Sequence, residues 1–463
     1  VNRRIFGLET EYGVVVVPTG GHGDGPLPSV EEAVTLMFAA TPNAHRTTNH
    51  FLPNGSRMYV DIGAHPEYAT AECDSLIDAV ASDRAGDLLL SDLVTTANTT
   101  LAERGVPGRL HLLRTNADSA GNTFGCHENY QVPRDLDFGR LTDAMTAFLV
   151  SRPVLTGCGQ VVSGPGGPVY AFSTRAGHTA TTTSADPTRA RPLINTKDEP
   201  HADDSRWRRL HVLSGDSNIA EHSTALKLGW TCLVLDLIEA GVDVDDLVPV
   251  DPMAAMHTYN TDPTGRAAAL TRGGLRLSAV EVQERFLELV TAHLQCTTGD
   301  PGPGTTARWV LDLVGEGLQA IRTQRPELVD TRLDWAVKGR VLEQYAQRHG
   351  LPLDHPRVTR IALAYHDLDP VAGLADRLRR GGHLAGFVDE AQIARAADTP
   401  PQTTRAKVRG EFVAWVSRRG LPASVNWGEI RLDRPVRPPI ELPDAFAAEN
   451  AQVASLMATV DAG

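Results

Sequence analysis

Residues 59–73 read YVDIGAHPEYATAEC, and no other stretch constrains the fold of this chain so strongly. It begins like a β-strand yet carries Asp61, Glu67 and Glu72 among small residues. Carboxylates pack poorly on a pleated surface, so strands usually avoid them. An exposed edge strand or a solvated turn would tolerate them with no further meaning. A strand pair that turns its acids toward a cation or a moving proton would also carry them. In RMYVDIG the alternation of side chains puts Arg57, Tyr59 and Asp61 on one face. The turn through Gly63–Pro66 then returns the chain so that Glu67 can face the same space.

GLETEYGV repeats the pattern upstream. Glu9 and Glu11 share one strand face, with Leu8, Thr10 and Tyr12 on the other. Two carboxylates so placed repel each other unless a cation lies between them, although solvated strand faces also produce this spacing. FGCHENY adds His127 and Glu128, and RRLHVLSGDSN puts Arg209 and His211 on one strand face. INTKDEPHADD offers Lys197 and His201 among acids, which reads as a phosphate contact or as a solvated turn. Taken together these groups suggest Mg-nucleotide chemistry, because a hard cation takes oxygen ligands and needs few protein groups when phosphates supply the rest. The sequence holds no Walker A pattern and no GxSxG elbow, which removes the P-loop and hydrolase-elbow routes.

Around these motifs the chain predicts strands at 4–17, 57–63, 109–116 and 124–132. Ser29 followed by Glu32 is a capping box that starts a helix, and a long helical pattern runs from Asp74 to Glu103 and stops at Gly105. Further helical patterns occupy 140–150, 219–240, 278–295, 307–323 and 331–348. Strands early and long helices between and after them make an α+β arrangement. The stretch 163–191 reads as a mobile loop, and 399–412 as a junction before a smaller C-terminal unit.

A count of 44 Lys+Arg against 57 Asp+Glu, −13 in all, argues against a general nucleic-acid binder. Five cysteines without CxxC pairing suggest spectator thiols in a reducing cytosol rather than a zinc site or disulfide framework. VNRRIFGLETEYGV reads as no signal peptide, and no uncharged run reaches the ~18 residues that span a bilayer. The expectation is a soluble cytoplasmic protein that binds neither nucleic acid nor membrane.

The segments RRIFGLETEYGV, NGSRMYVDIGAHPEYATAECDS, FGCHENY, INTKDEPHADD, RRLHVLSGDSN, YHDLD, PPQTTRAKVRGEF and VNW closely resemble, in order and over nearly the whole chain, the Pup ligase and depupylase family. That family belongs to the glutamine synthetase and glutamate–cysteine ligase superfamily. The resemblance implies a glutamine synthetase-like curved antiparallel sheet with helices on one side, cradling ATP and Mg²⁺. It implies a catalytic domain at 1–396 and a small C-terminal domain at 397–463. Glu9, Tyr59 and Glu67 would bind Mg²⁺, with Glu11, His127 and His211 as further ligands. Arg57, Thr70 and Trp427 would contact ATP, and Asp61 would be the proton acceptor. Lys197 stands where the family usually has an Arg near phosphate, and Lys keeps the charge without the bidentate fork. After the S-x-R motif ending at Arg175, residues 177–186, GHTATTTSAD, also depart from the family pattern.

The short link 42–53 leaves no room for the long insertion of the depupylase branch, so the ligase branch is implied. Its members join the C-terminal glutamate of Pup, a small disordered modifier, to lysines of target proteins and so mark them for the bacterial proteasome. Three alternatives stand beside this expectation. One is a depupylase or deamidase, the second a divergent amide ligase using another modifier, and the third a pseudoenzyme that binds without turnover.

Overall fold

The computed structural model describes residues 3–19, 26–41, 47–118, 121–164, 166–186, 190–297, 299, 301–302 and 304–461. The predicted strand at 4–17 breaks at Tyr12 into β1 (Phe6–Glu11) and β2 (Gly13–Pro18). The two halves have different partners. β1 joins the main sheet, whereas β2 pairs with β6 (Gly108–Leu113) in a separate ribbon. Tyr12 holds the break, being fully buried with its hydroxyl donating to Asp87 at 2.8 Å.

The main sheet continues with β3 (Asn49–Phe51), β4 (Arg57–Asp61), β5 (His65–Ala69), β7 (Cys126–Pro133), β10 (Thr181–Ser184), β11 (Pro192–Asn195) and β12 (Trp207–Val212). Between β7 and β10 a separate hairpin forms from β8 (Gln160–Gly164) and β9 (Gly167–Ala171). The eight strands lie in the order β10-β11-β12-β7-β1-β5-β4-β3. Every neighbouring pair is antiparallel except β10 with β11, which is parallel, so the sheet is mixed rather than wholly antiparallel.

One face of the sheet is apolar and carries the helices. Phe6, Leu8, Tyr130, Val132, Leu210 and Val212 enter a large core shared with α3 (Phe138–Ser151) and the helix Glu221–Glu239. Met58 and Tyr68 enter a second core under α1 (Val30–Phe38) and α2 (Leu76–Glu103). The Ser29 capping box forms as predicted, with both reciprocal bonds. α2 can lie close on β5 because Gly86 has no Cβ, which would strike the Tyr68 ring.

The expectation of a mobile loop over 163–191 is corrected. Among its described residues are β9, a 3-10 turn (Arg175–His178) and β10, a strand of the main sheet. The three threonines of TTTS are β-branched, and such side chains favour a pleated edge even with little hydrophobicity. Residues 165 and 187–189 of that segment, and residues 42–46 of the short link, lie outside the described residues.

The predicted junction 399–412 runs at Ala406 into the helix Ala406–Arg419, which packs on strands Ala423–Val425, Glu429–Leu432 and Ile440–Glu441 around Phe412, Trp415, Ile430 and Leu432. Among the described residues no helix is long and apolar enough to cross a membrane.

Candidate active site

Period-2 alternation on five adjacent strands decides which groups meet on the face without helices. In β1 the buried residues Phe6, Leu8 and Thr10 alternate with Gly7, Glu9 and Glu11. Register then aligns the exposed set. Glu9 lies between His127 of β7 and Ala69 of β5, and Glu11 lies opposite Glu67. Glu67 is paired in turn with Tyr59 of β4, and Asp61 with His65. His211 of β12 completes the row, opposite Asn129. Side chains from separate sequence motifs thus share one surface.

Two triads of metal-binding type result. Glu9, His127 and His211 have donor atoms within 4.8 Å of one another, and so do Glu11, Asp61 and Glu67. The resemblance implied Asp61 as a proton acceptor apart from the metal ligands; the fold places Asp61 inside the second triad.

Electrostatics distinguish the two. Burial alone would raise the Glu9 carboxyl, but the imidazoles of His127 and His211 and the Arg209 guanidinium hold it well below the usual carboxylate range. His127 Nδ1 and His211 Nε2 each lie 3.4 Å from Glu9 Oε2, and Arg209 Nη1 lies 3.6 Å from Oε1. Glu11 is likewise pulled down against burial, chiefly by His65, whose Nδ1 is 3.1 Å from Glu11 Oε2. Glu67 goes the other way. Burial and the charges of Glu9 and Glu11 push its carboxyl well above the usual range, although the Tyr59 hydroxyl donates to it. Burial and Glu67 in turn keep the Tyr59 phenol protonated. Like charges packed this tightly are relieved by a shared cation.

The donor chemistry fits such an ion. Carboxylate and phenol oxygens suit Mg²⁺, and the imidazoles extend the set toward Mn²⁺ or Zn²⁺. His211 Nε2, buried and facing Glu9 at 3.4 Å, makes no hydrogen bond among the described residues, while Asn195 occupies the other ring nitrogen at 3.3 Å.

Beside the first triad opens a cleft. Gly7, Glu9, Thr70, Asn129, Arg209 and Trp427 are among its walls. Gly7 is required here, since a Cβ would come within 2.9 Å of Thr70 Oγ1. Thr70 Oγ1 in turn accepts from the Leu8 N–H at 3.0 Å. Trp427 meets Phe51 edge-on at 5.0 Å, with the Arg409 guanidinium 4.8 Å from its ring. Arg57 lies on the same sheet face, its guanidinium 4.0 Å from the centre of the Tyr59 ring and its Nε donating to Asn49 at 2.8 Å.

Two predicted residues fall elsewhere. Lys197 is exposed in the loop after β11 and does not line the cleft; His201, four residues on, does. Glu128, adjacent to His127, points to the opposite face, where both its oxygens bond Arg152 at 2.6 and 2.7 Å. Sequence reasoning noted Arg209 as a strand-mate of His211 without assigning it a role, although that alternation was the available signal. Arg405 had none: it enters the cleft wall from the C-terminal unit, bonded to Glu72 at 2.8 Å across 333 residues.

The sequence model of the family described as Pup-ligase protein matches residues 4–431. The chain belongs to this family. Among relatives of this Pup-ligase chain is the Pup–protein ligase of Saccharomonospora viridis, 43% identical over 99% of each chain. That of Mycobacterium tuberculosis is 40% identical over 99% of this chain and 100% of its own. The complex of the prokaryotic ubiquitin-like protein Pup with its ligase PafA superposes with a TM-score of 0.91 at 35% identity, covering 99% of this chain and 93% of that one. PafA in complex with ADP superposes with a TM-score of 0.84, also at 35% identity, over 96% and 97% of the two chains.

Proposed function

We propose that this chain is an ATP-dependent ligase that joins the γ-carboxylate of the C-terminal glutamate of Pup to lysine ε-amines of target proteins. The observation that carries this reading is the single sheet face on which Glu9, Glu11, Tyr59, Asp61 and Glu67 converge beside the cleft. Full-length similarity to Pup–protein ligases and to PafA with Pup or ADP supports the substrates. The products would be marked for the bacterial proteasome.

In this reading Thr70, Trp427 and Arg57 hold the nucleotide. Glu9, Tyr59 and Glu67, with Glu11, His127 and His211, hold Mg²⁺. Lys197 would reach phosphate only by a movement of its loop. Bound Mg·ATP supplies the phosphoryl group that turns the glutamate γ-carboxylate into an acyl phosphate. Asp61 then acts on the second substrate. It is exposed at the end of β4, where a lysine carried on another protein can reach it. Its carboxylate draws the ammonium in and accepts its proton; the freed amine attacks the acyl carbon and phosphate leaves. Residues 397–463 form a small C-terminal domain that brings Arg405 and Trp427 to the nucleotide.

Mixing the protein with Mg·ATP, Pup ending in glutamate and a lysine-bearing protein tests this by intact mass. The expected product is heavier than the target by Pup minus one water and forms only with ATP. No adduct, with an active ligase working alongside, would refute the reading; Pup ending in glutamine, run in parallel, detects deamidation. Glu9→Ala is expected to weaken Mg·ADP binding by about tenfold or more in calorimetry. An unchanged affinity would remove Glu9 from the metal site.

A further inference from the structure

Six arginines of the described residues are buried: Arg4, Arg114, Arg152, Arg175, Arg405 and Arg409. Five have a carboxylate at 2.9 Å or less. Arg4 bonds Glu239, Arg114 bonds Asp83, Arg152 bonds Glu128, and Arg405 and Arg409 bond Glu72. Arg175 is the exception. It is 6% exposed, and its side chain makes one bond among the described residues, from Nε to the Leu213 carbonyl at 3.1 Å. Neither terminal nitrogen has a hydrogen bond or ion pair there. A buried charge without a partner is costly, and proteins keep one where something else supplies the partner.

Its place in the fold says what that could be. Leu213 follows directly on His211 and Val212 at the end of β12. A Cβ on Gly215, two residues further, would come within 3.0 Å of the Cys126 carbonyl at the start of β7. Gly125 in turn accepts the Glu11 N–H at 2.9 Å. Arg175 therefore stands at the end of the sheet where β1 finishes on Glu11, beyond the second triad and away from the cleft with Thr70 and Trp427. Glu11 is the carboxylate that acts on it most strongly, yet it lies outside ion-pair distance. Arg191 is a second cation acting on Arg175, and it too has no bonded carboxylate among the described residues.

The turn that carries Arg175 is fixed by Asp216. Asp216 accepts from the Arg175 N–H at 2.9 Å, from the Thr174 N–H at 3.1 Å, from Ser173 Oγ at 2.7 Å and from the Cys158 N–H at 2.7 Å. Four donors saturate that carboxylate, so it fixes the 3-10 turn rather than neutralising the guanidinium.

We propose that Arg175 binds the oxyanion of the reacting group, either a carboxylate of the modifier's last glutamate or the phosphoryl group transferred to it. This inference rests on the ligase reading above. A planar fork whose two terminal nitrogens have no hydrogen bond among the described residues matches both anions bidentately.

Arg175→Gln and Arg175→Lys in the full chain test it, with adduct formation followed at varied Pup and varied ATP. Arg175→Gln is expected to cut kcat/KM for Pup by about 100-fold, and Arg175→Lys to recover part of that. A raised KM for Pup at unchanged kcat assigns the carboxylate; a fallen kcat at unchanged KM assigns the phosphoryl group. Constants within twofold of the wild type would overturn the proposal. Thermal melting separates this role from a structural one, because removing an unpaired buried cation leaves the melting temperature unchanged or higher. A marked fall would show that Arg175 serves folding and would also overturn it. If the wild type forms no adduct, the ligase reading fails instead, and calorimetry with inorganic phosphate decides for Arg175. Weaker phosphate binding by Arg175→Gln would support it, and equal binding would overturn it.

Discussion

Asp61→Asn is expected to lower the rate of Pup conjugation by about 10²–10⁴-fold, the usual contribution of a positioned proton acceptor. Asparagine keeps the shape of the β4 end but cannot take the lysine proton or attract an ammonium. Asp61 also belongs to the triad with Glu11 and Glu67, so the loss could instead arise from the metal. Two measurements separate the roles. Calorimetry with Mg·ADP should give an affinity within a few-fold of the wild type, because Glu9, Tyr59 and Glu67 remain. Hydroxylamine needs no general base and traps acyl phosphates, so hydroxamate should still form on Pup. Loss of both would make Asp61 a metal ligand first; conjugation at the wild-type rate would end its assignment altogether.

Glu72→Gln is expected to have the largest effect on stability. Both Glu72 oxygens are engaged by two buried guanidiniums, Arg405 at the N-cap of the helix Ala406–Arg419 and Arg409 within it. Removing the one carboxylate leaves two buried cations uncompensated, at a cost of about 3–5 kcal/mol. Arg409 also binds the Gly55 and Trp427 carbonyls, and Arg405 the Leu442 carbonyl. The variant should therefore unfold at lower denaturant and also bind nucleotide more weakly, since Arg405 and Trp427 line the cleft. Unchanged denaturant unfolding would show that this ion pair is not what anchors the C-terminal unit.

Acid should do by titration what the substitution does by chemistry. Burial works against the Glu72 charge, but Arg409 and Arg405 pull the carboxyl down to about 2. An unfolded glutamate titrates near ~4.3. The folded value is the lower one, so the stabilisation is fully present above the unfolded value. It is lost as pH falls toward the folded one. The difference corresponds to about 3 kcal/mol. The wild type should lose more stability between neutral pH and about pH 2 than Glu72→Gln does, the gap being Glu72's share.

The three acids of YVDIGAHPEYATAEC that raised the question of this fold have separate answers. Asp61 and Glu67 alternate with Tyr59 on strands β4 and β5, and strand geometry alone tells which way they point. The same rule read Glu9 with Glu11, and Arg209 with His211, directly from the chain. The capping box at Ser29 and the long helix α2 were legible for a similar reason, because caps and helical periodicity are local. Glu72 was not legible in this way. It lies just past the strand, and nothing near it announces an arginine pair more than 300 residues away.

What local pattern determined was which side chains share a face within one strand, and the resemblance added which chemistry such a face serves. Only tertiary structure decided which faces meet. Strand order and register set His127 beside Glu9 and Glu67 beside Glu11, divided the acids and histidines into two triads, and brought Glu128 against Arg152. They also drew the threonine run 181–183 into β10 and left Arg175 buried without a bonded carboxylate among the described residues. The physical reason is that alternation is a property of neighbouring residues, whereas register and charge compensation depend on pairings between strands far apart in the chain.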